Sequence, residues 1–270
     1  MVDYNNLSEK AKNIRRNIIK MIYSAGSGHP GGSLSCVDIL TALYFGKMNI
    51  DPEVPDMEDR DRFVMSKGHS SPAIYATLYE RGYLTDRDLD GFRKINRSLQ
   101  GSPDMLRIKG IDMSTGSLGQ GLSAGCGMAL GSKMDDLNYN VYVLLGDGEL
   151  QEGMIWEAAM FAAQYNLDNL MAIVDMNGLQ IDGKTDDVMS LGSISKKFTA
   201  FGWYVVEIDG HDLDQIFGAF NIFDKVTNKP MLVIANTVKG KGVSFMEDEC
   251  KWHSQKITEE DYNRAMEELR

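Results

Sequence analysis

Two short apolar runs constrain this chain more than anything else in it. Val141-Tyr-Val-Leu-Leu-Gly-Asp-Gly-Glu149 and Ile173-Val-Asp-Met-Asn-Gly-Leu179 each end in glycine and oxygen-bearing side chains. A short continuous apolar run reads as a strand buried on both faces of a parallel sheet. In such sheets ligands sit at the carboxyl ends of the strands, which is where the polar residues fall. Asp147, Asn177 and the Leu179 carbonyl together make a set of hard oxygen donors. Such a set suits Mg²⁺, which takes few protein ligands and completes its shell with phosphate oxygens and water. A metal-bridged diphosphate site is the expectation. Gly-Asp-Gly by itself is foremost a turn signal, and the second cluster is what lifts it above one.

The 270 residues suffice for one large α/β domain, 1–270, although length alone also permits two smaller ones. A formal charge of −11 argues against non-specific nucleic-acid binding, which needs a basic surface. An anionic substrate would need a local positive site. Cys36, Cys126 and Cys250 show no paired spacing and read as reduced thiols of a cytoplasmic protein. No secretory core opens the chain and no run approaches a membrane span.

Leu7, Ala11, Ile14, Ile18 and Met21 recur at helical spacing, predicting an amphipathic helix over 7–24. Residues 28–33 are too rich in glycine and proline for helix or strand, so a loop is expected, with Ser33 or Ser35 capping a helix to Phe45. A strand at 62–65 leads into Ser66-Lys-Gly-His69, and Pro72 starts a helix to about Arg81. Thr85 caps a helix over 85–93, and 96–116 is irregular. A helical segment over 117–131 carries glycines at 121, 125, 127 and 131. So many glycines make sense only where a neighbour or ligand approaches the backbone closely. Helices at 153–165, 193–201 and 212–226 alternate with strands at 141–145, 170–175, 203–208 and 231–236, and a last helix follows Thr258. That alternation predicts a doubly wound, mostly parallel sheet flanked by helices.

Three of the four histidines, His29, His69 and His253, fall in glycine-rich loops without the spacing of a zinc site. They read as proton-handling groups around a phosphate or a sugar hydroxyl. His211 reads as a turn or capping residue. Glu149 and Glu152 fit as charge near a helix start, and Lys67, Lys239 and Lys241 are candidate anion contacts. No hydrolase elbow, Walker loop or Rossmann fingerprint is present.

The ordered motifs Ser27-Gly-His-Pro-Gly-Gly32, Ser66-Lys-Gly-His69, Thr115-Gly-Ser-Leu-Gly-Gln-Gly121, Gly146-Asp-Gly148 with Asn177, and Lys239-Gly-Lys-Gly-Val-Ser-Phe-Met246 with Trp252-His253 resemble the N-terminal, diphosphate-binding half of transketolase. The resemblance runs from about Ser24 to His253. It implies a thiamine diphosphate-binding fold with Mg²⁺ held by Asp147, Asn177 and the Leu179 carbonyl. By the same resemblance Gly148, His69, Asn177 and His253 touch the cofactor, and Gly116, Ser117 and Leu118 lie along its aminopyrimidine. His29 and His253 face sugar hydroxyls, Arg93 approaches an acceptor's charged end, and His29, His69 and His253 make the catalytic set. Glu152 resembles a glutamate linking the two sites of the family's dimer.

Where the family reads Gly-His-Pro-Glu or Gly-His-Pro-Asp, this chain has Gly101-Ser102-Pro103-Asp104, so Ser102 stands where the family contacts its donor with histidine. The family's pyrimidine-binding and C-terminal domains have no counterpart here. The implied protein is one subunit of a split transketolase, active only with a C-terminal subunit carrying the pyrimidine-binding domain, as a heterotetramer with two of each. It would move a two-carbon ketol unit from a ketose phosphate, or a similarly charged sugar such as a sulfonated ketose, to an aldose. The alternatives are a component of another thiamine diphosphate enzyme (deoxyxylulose-phosphate-synthase-like or 2-oxo acid dehydrogenase-like) and a non-catalytic scaffold.

Overall fold

A computed structural model describes residues 3–270, so the first two residues of the expected domain lie outside it. Its strands are β1 (Arg62–Met65), β2 (Val141–Gly146), β3 (Leu170–Met176), β4 (Leu179–Gln180), β5 (Gly183–Lys184), β6 (Tyr204–Asp209) and β7 (Met231–Asn236). Five of them form one parallel sheet in the order β1-β2-β3-β7-β6. β4 and β5 pair as a short antiparallel hairpin beyond the end of β3.

The central strands carry apolar residues on both faces because both faces are covered. Tyr142, Leu144, Met171, Ile173, Met231 and Val233 pack into one core with the helices Tyr4–Ala25, Val37–Ala42 and Ser71–Arg81. Their neighbours in sequence, Val141, Val143, Leu145, Ala172, Val174 and Leu232, pack into a second core with the helices Gln120–Met134, Gly153–Gln164 and Ile194–Ala200. The period-2 alternation of strand side chains thus feeds two cores at once. This is the doubly wound architecture expected from the sequence. Among the described residues no helix is long and apolar enough to cross a membrane.

The opening helix buries Leu7, Ala11, Ile14, Ile18 and Met21, as their spacing requires. Other elements differ from expectation. Pro30–Leu34 is a short helix, not a loop, with proline in its first turn, where no backbone donor is needed. Its glycines serve close packing: a Cβ on Gly31 would lie 2.9 Å from the Lys239 side chain and 3.0 Å from the Trp252 carbonyl oxygen. Neither Ser33 nor Ser35 caps the next helix. Ser33 Oγ donates to the His29 carbonyl and Ser35 Oγ donates to Asp175 at 2.6 Å. The helix after Thr85 spans only Asp86–Leu89, although its capping box with Asp88 is present. In the glycine-rich helix, Gly121 and Gly125 do meet neighbours closely, at Ser66 and Val143, while Gly127 has nothing within 4 Å.

Candidate cofactor site

The crevice lies beyond the carboxyl ends of β1, β2, β3 and β7. β2 delivers Asp147 and β3 delivers Asp175 and Asn177, and the adjacent parallel pairing of these strands brings both clusters together. Asp147 Oδ1 accepts from the Gly148 amide at 2.8 Å, and Oδ2 accepts from the Gly178 amide at 2.6 Å. Gly178 takes a positive φ of 74°, which turns the chain so that Asn177 and Leu179 flank that amide. Asn177 Nδ2 donates to Asp175 at 3.3 Å, which leaves its Oδ1 on the side where the Leu179 amide donates at 3.2 Å. One carboxylate, one amide oxygen and the Leu179 carbonyl are therefore gathered around one glycine.

A cation already rests against this set. Lys239 follows β7 and donates from Nζ to the Leu179 carbonyl at 2.9 Å, with His253 Nδ1 3.2 Å away. Lys239 is 2% exposed. Burial pulls its ammonium below the ordinary lysine range against the opposing charge of Asp147. Burial and the Asp175 charge push Asp147 up to about 6, while the two amides and Lys239 act the other way. Among the described residues no group of three or more His, Cys, Asp or Glu side chains is arranged to hold a metal. The hard oxygens of Asp147, Asn177 and Leu179 do fit Mg²⁺, and the ammonium on the Leu179 carbonyl marks that oxygen as a cation acceptor.

The three loop histidines, remote in sequence, meet here. Ring centroids are 5.2 Å apart for His29 and His69, 5.5 Å for His29 and His253, and 5.3 Å for His69 and His253, the last pair stacked. Burial, with Lys239 and the other cations nearby, lowers all three below the ordinary imidazole range, His69 well below and His253 to about 4. They are neutral near pH 7 and each offers one donor and one acceptor. His29 Nδ1 is buried without a hydrogen-bond partner. Arg93 donates to Ser27 Oγ at 3.0 Å, and its charge reaches His29.

The loop before the Gln120–Met134 helix completes the wall. A Cβ on Gly68 would lie 2.7 Å from the Gly116 nitrogen, so the His69 turn and the Gly116 loop are in direct contact. Gly116 has φ 147° and its α-carbon faces Ser102, whose Oγ would be 3.0 Å from a Cβ there. Gly116 and Ser117 are exposed and Leu118 is half-buried. The strut behind this loop is Glu149, not a charge placed for a helix start. It is buried and accepts from the Gly119 amide at 2.9 Å, the Gly146 amide at 3.0 Å and Ser66 Oγ. Glu152 is exposed and caps nothing with its side chain.

Lys67 is not an anion contact. Its ammonium is sealed against Asp175 and donates to the Gly32 carbonyl at 2.6 Å. Burial, the largest single influence, opposes that charge, but Asp175 and Cys36 together outweigh it and push Lys67 up to about 12. Asp175, missed in the sequence, also accepts from Ser35, Thr237 and Asn177 and so ties four chain segments under the crevice. The available signal was a carboxylate inside an otherwise apolar strand. Lys241 pairs with Glu247 at the surface, at 3.8 Å.

Fold and site define a parallel α/β protein with a cation-and-anion crevice at its strand ends. The sequence matches the family described as transketolase, thiamine diphosphate binding domain, over residues 7–269, and the chain belongs to that family. It is 48% identical over 255 residues to an apulose-4-phosphate transketolase subunit of Phocaeicola vulgatus, covering 94% of this chain and 90% of that one. It is 47% identical over 263 residues to 6-deoxy-6-sulfo-D-fructose transketolase subunit SqwG of a Clostridium species, covering 97% and 96%. Among solved structures, transketolase from Leishmania mexicana superposes with a TM-score of 0.93 at 30% identity over 100% of this chain. The chain spans 41% of that protein's length.

Proposed function

We propose that this chain is the diphosphate-binding subunit of a two-subunit transketolase, built as one domain over 1–270 and working in the cytoplasm. It would transfer a two-carbon ketol unit from a ketose to an aldose. The observation that carries this reading is the crevice itself: three hard oxygens around Gly178, a buried ammonium beside them, and three neutral histidines facing the same space. Relatives that are themselves named as transketolase subunits, matched over nearly their whole length, support the two-subunit form.

In this reading Asp147, Asn177 and the Leu179 carbonyl would hold Mg²⁺, and Gly148, His69, His253 and Lys239 would hold the diphosphate. Gly116, Ser117 and Leu118 would contact the aminopyrimidine. Thiamine diphosphate, when bound, supplies an electron sink for cleavage next to a carbonyl. The chain's own residues bind, orient and move protons. Being neutral, His29, His69 and His253 can each donate one hydrogen bond and accept another, and His29 and His253 can take a proton from a sugar hydroxyl as general bases and return it from the imidazolium. Arg93 and Lys239 supply the local positive field that an anionic sugar requires on a chain of net charge −11. Ser102, beside Gly116, is the candidate donor-selecting residue, and the relatives' names span a phosphorylated and a sulfonated ketose.

The partner is a C-terminal subunit carrying the pyrimidine-binding domain, two copies of each chain making the enzyme. Met160, Phe161 and Tyr165 on the Gly153–Gln164 helix and its continuation, and Ile181, Val188 and Met189 near the hairpin, are exposed apolar residues that suit such a contact. Glu152, exposed at the start of that helix, fits the site-linking glutamate.

Calorimetry with Mg²⁺ and thiamine diphosphate tests the cofactor site. Wild type should bind, and Asp147→Ala should lose metal-dependent binding while keeping its fold. Equal affinity in the variant would refute the metal assignment. A screen of ketose phosphates and sulfonates on the complex purified with its native partner tests the reaction. Release of CO₂ from a 2-oxo acid without ketose cleavage would refute ketol transfer.

A further inference from the structure

His211 is more than a turn residue. Its Nε2 accepts from the Val238 amide at 2.9 Å, so the proton must sit on Nδ1, which donates to Asp38 Oδ2 at 2.7 Å. Asp38 Oδ2 also accepts from Arg15 Nη2 at 2.6 Å, and Arg15 Nε donates to the Lys241 carbonyl at 3.1 Å. Arg15 comes from the first helix, Asp38 from the Val37–Ala42 helix, and His211 from the turn after β6. They converge on either side of Lys239, at Val238 and Lys241. The chain between is fixed further by the Gly240 amide, which donates to the Gly31 carbonyl at 3.0 Å. A Cβ on Gly242 would lie 2.9 Å from the Arg15 side chain, so the loop is seated directly on that arginine.

We propose that Arg15, Asp38 and His211 form a positioning relay that clamps residues 238–241 and thereby sets where Lys239 delivers its ammonium in the crevice. The inference rests on the reading of the crevice as a diphosphate site. No member of the relay touches the crevice oxygens. A lysine has a long stem with four rotatable bonds, and a charge on such a stem is precise only if its backbone is held. Groups that hydrogen-bond a metal's own ligands change its affinity by about 10–100-fold when lost, and a relay one step further out, acting through Lys239, belongs at the low end of that range.

The test compares the full chain with His211→Ala and His211→Gln, the latter keeping a side-chain acceptor within reach of the Val238 amide. Three quantities are read: hydrogen exchange of the Val238–Gly240 amides without cofactor, affinity for thiamine diphosphate with Mg²⁺, and thermal midpoint. Phe198→Leu, buried in the opposite core, serves as a control for lost stability alone. His211→Ala should expose the Val238 amide to exchange and weaken cofactor binding about tenfold. His211→Gln should recover most of both, and Phe198→Leu should change neither. Unaltered exchange at Val238 in His211→Ala overturns the relay, as does cofactor affinity equal to wild type. If wild type binds no cofactor even with its partner subunit present, the functional reading fails, and the exchange data still decide whether His211 clamps the loop.

Discussion

The Lys239 ammonium lies 2.9 Å from the Leu179 carbonyl oxygen, the oxygen assigned to Mg²⁺. In the proposed reading a buried lysine and a metal ion would address the same acceptor. A carbonyl oxygen has two lone pairs, so a bound Mg²⁺ would either share it with the ammonium or turn the ammonium toward an anion bound beside the metal.

Lys239→Met should therefore weaken thiamine diphosphate binding with Mg²⁺ present. Losing one charge-assisted contact of this kind costs about 1.5–3 kcal/mol, which calorimetry resolves. The same substitution should raise the pKa of His253 and His29, because the Lys239 charge holds both down. Burial, the larger cause, should still keep them below about 6.5, the ordinary imidazole value. Side-chain NMR titration reads this; unmoved histidines would place Lys239 elsewhere.

The histidine cluster should make the metal-free chain acid-sensitive. Each ring has a folded pKa below its unfolded value, so the unfolded state binds more protons in between. The resulting stability is full above about pH 6.5 and is lost as pH falls toward 4, the value of His253. Asp147, raised to about 6, works in the opposite sense across the lower part of that window. The clean measurement is the difference between wild type and His253→Gln. That difference in thermal midpoint should change between pH 7.5 and 5, with the variant the less acid-sensitive.

Lys67→Met should be strongly destabilising. The pair with Asp175 is sealed, with side chains 1% and 0% exposed. Removing the ammonium strands a buried carboxylate at a cost of about 3–5 kcal/mol. Urea unfolding should report the loss, and adding Asp175→Asn should restore part of it. A loss below about 1 kcal/mol, the level of an exposed pair, would contradict the burial.

Two glycines of one helix should respond with opposite signs. A Cβ on Gly121 would come 2.3 Å from Ser66 Oγ and 2.9 Å from its Cα, so Gly121→Ala must move β1's end or the helix. An overpacking cost of about 1–3 kcal/mol follows. Gly127 has no neighbour within 4 Å, and Gly127→Ala should stabilise the isolated chain by up to about 1 kcal/mol. Thermal midpoints of both variants check the pair.

Much of the fold was legible because buried parallel strands are continuous apolar runs, and β1 and β7 fall on the residues their composition marks. The Pro30–Leu34 helix was not, because Gly31 answers to Lys239 and Trp252 and Gly32 to Ser70 pressing on the backbone, which leaves no local periodicity. The β4–β5 hairpin is two residues a side and too short to carry a pattern. Asp147, Asn177 and the Leu179 carbonyl could be singled out because glycine and oxygen donors directly follow an apolar run.

By itself the sequence determined the five strands of the sheet and which of their ends are polar, since these depend on residues near one another in the chain. It could not determine which charges meet. Lys67 and Lys239 each follow a strand and precede a glycine, yet one is locked under the crevice by Asp175 and the other stands within it beside His253. That division was decided by the sheet order β1-β2-β3-β7-β6, which sets β7 against β3 and carries the loop bearing Lys239 over the carboxylates. Burial of charge is a property of the assembled layers, and only there does a lysine become a buried strut or a crevice-lining group.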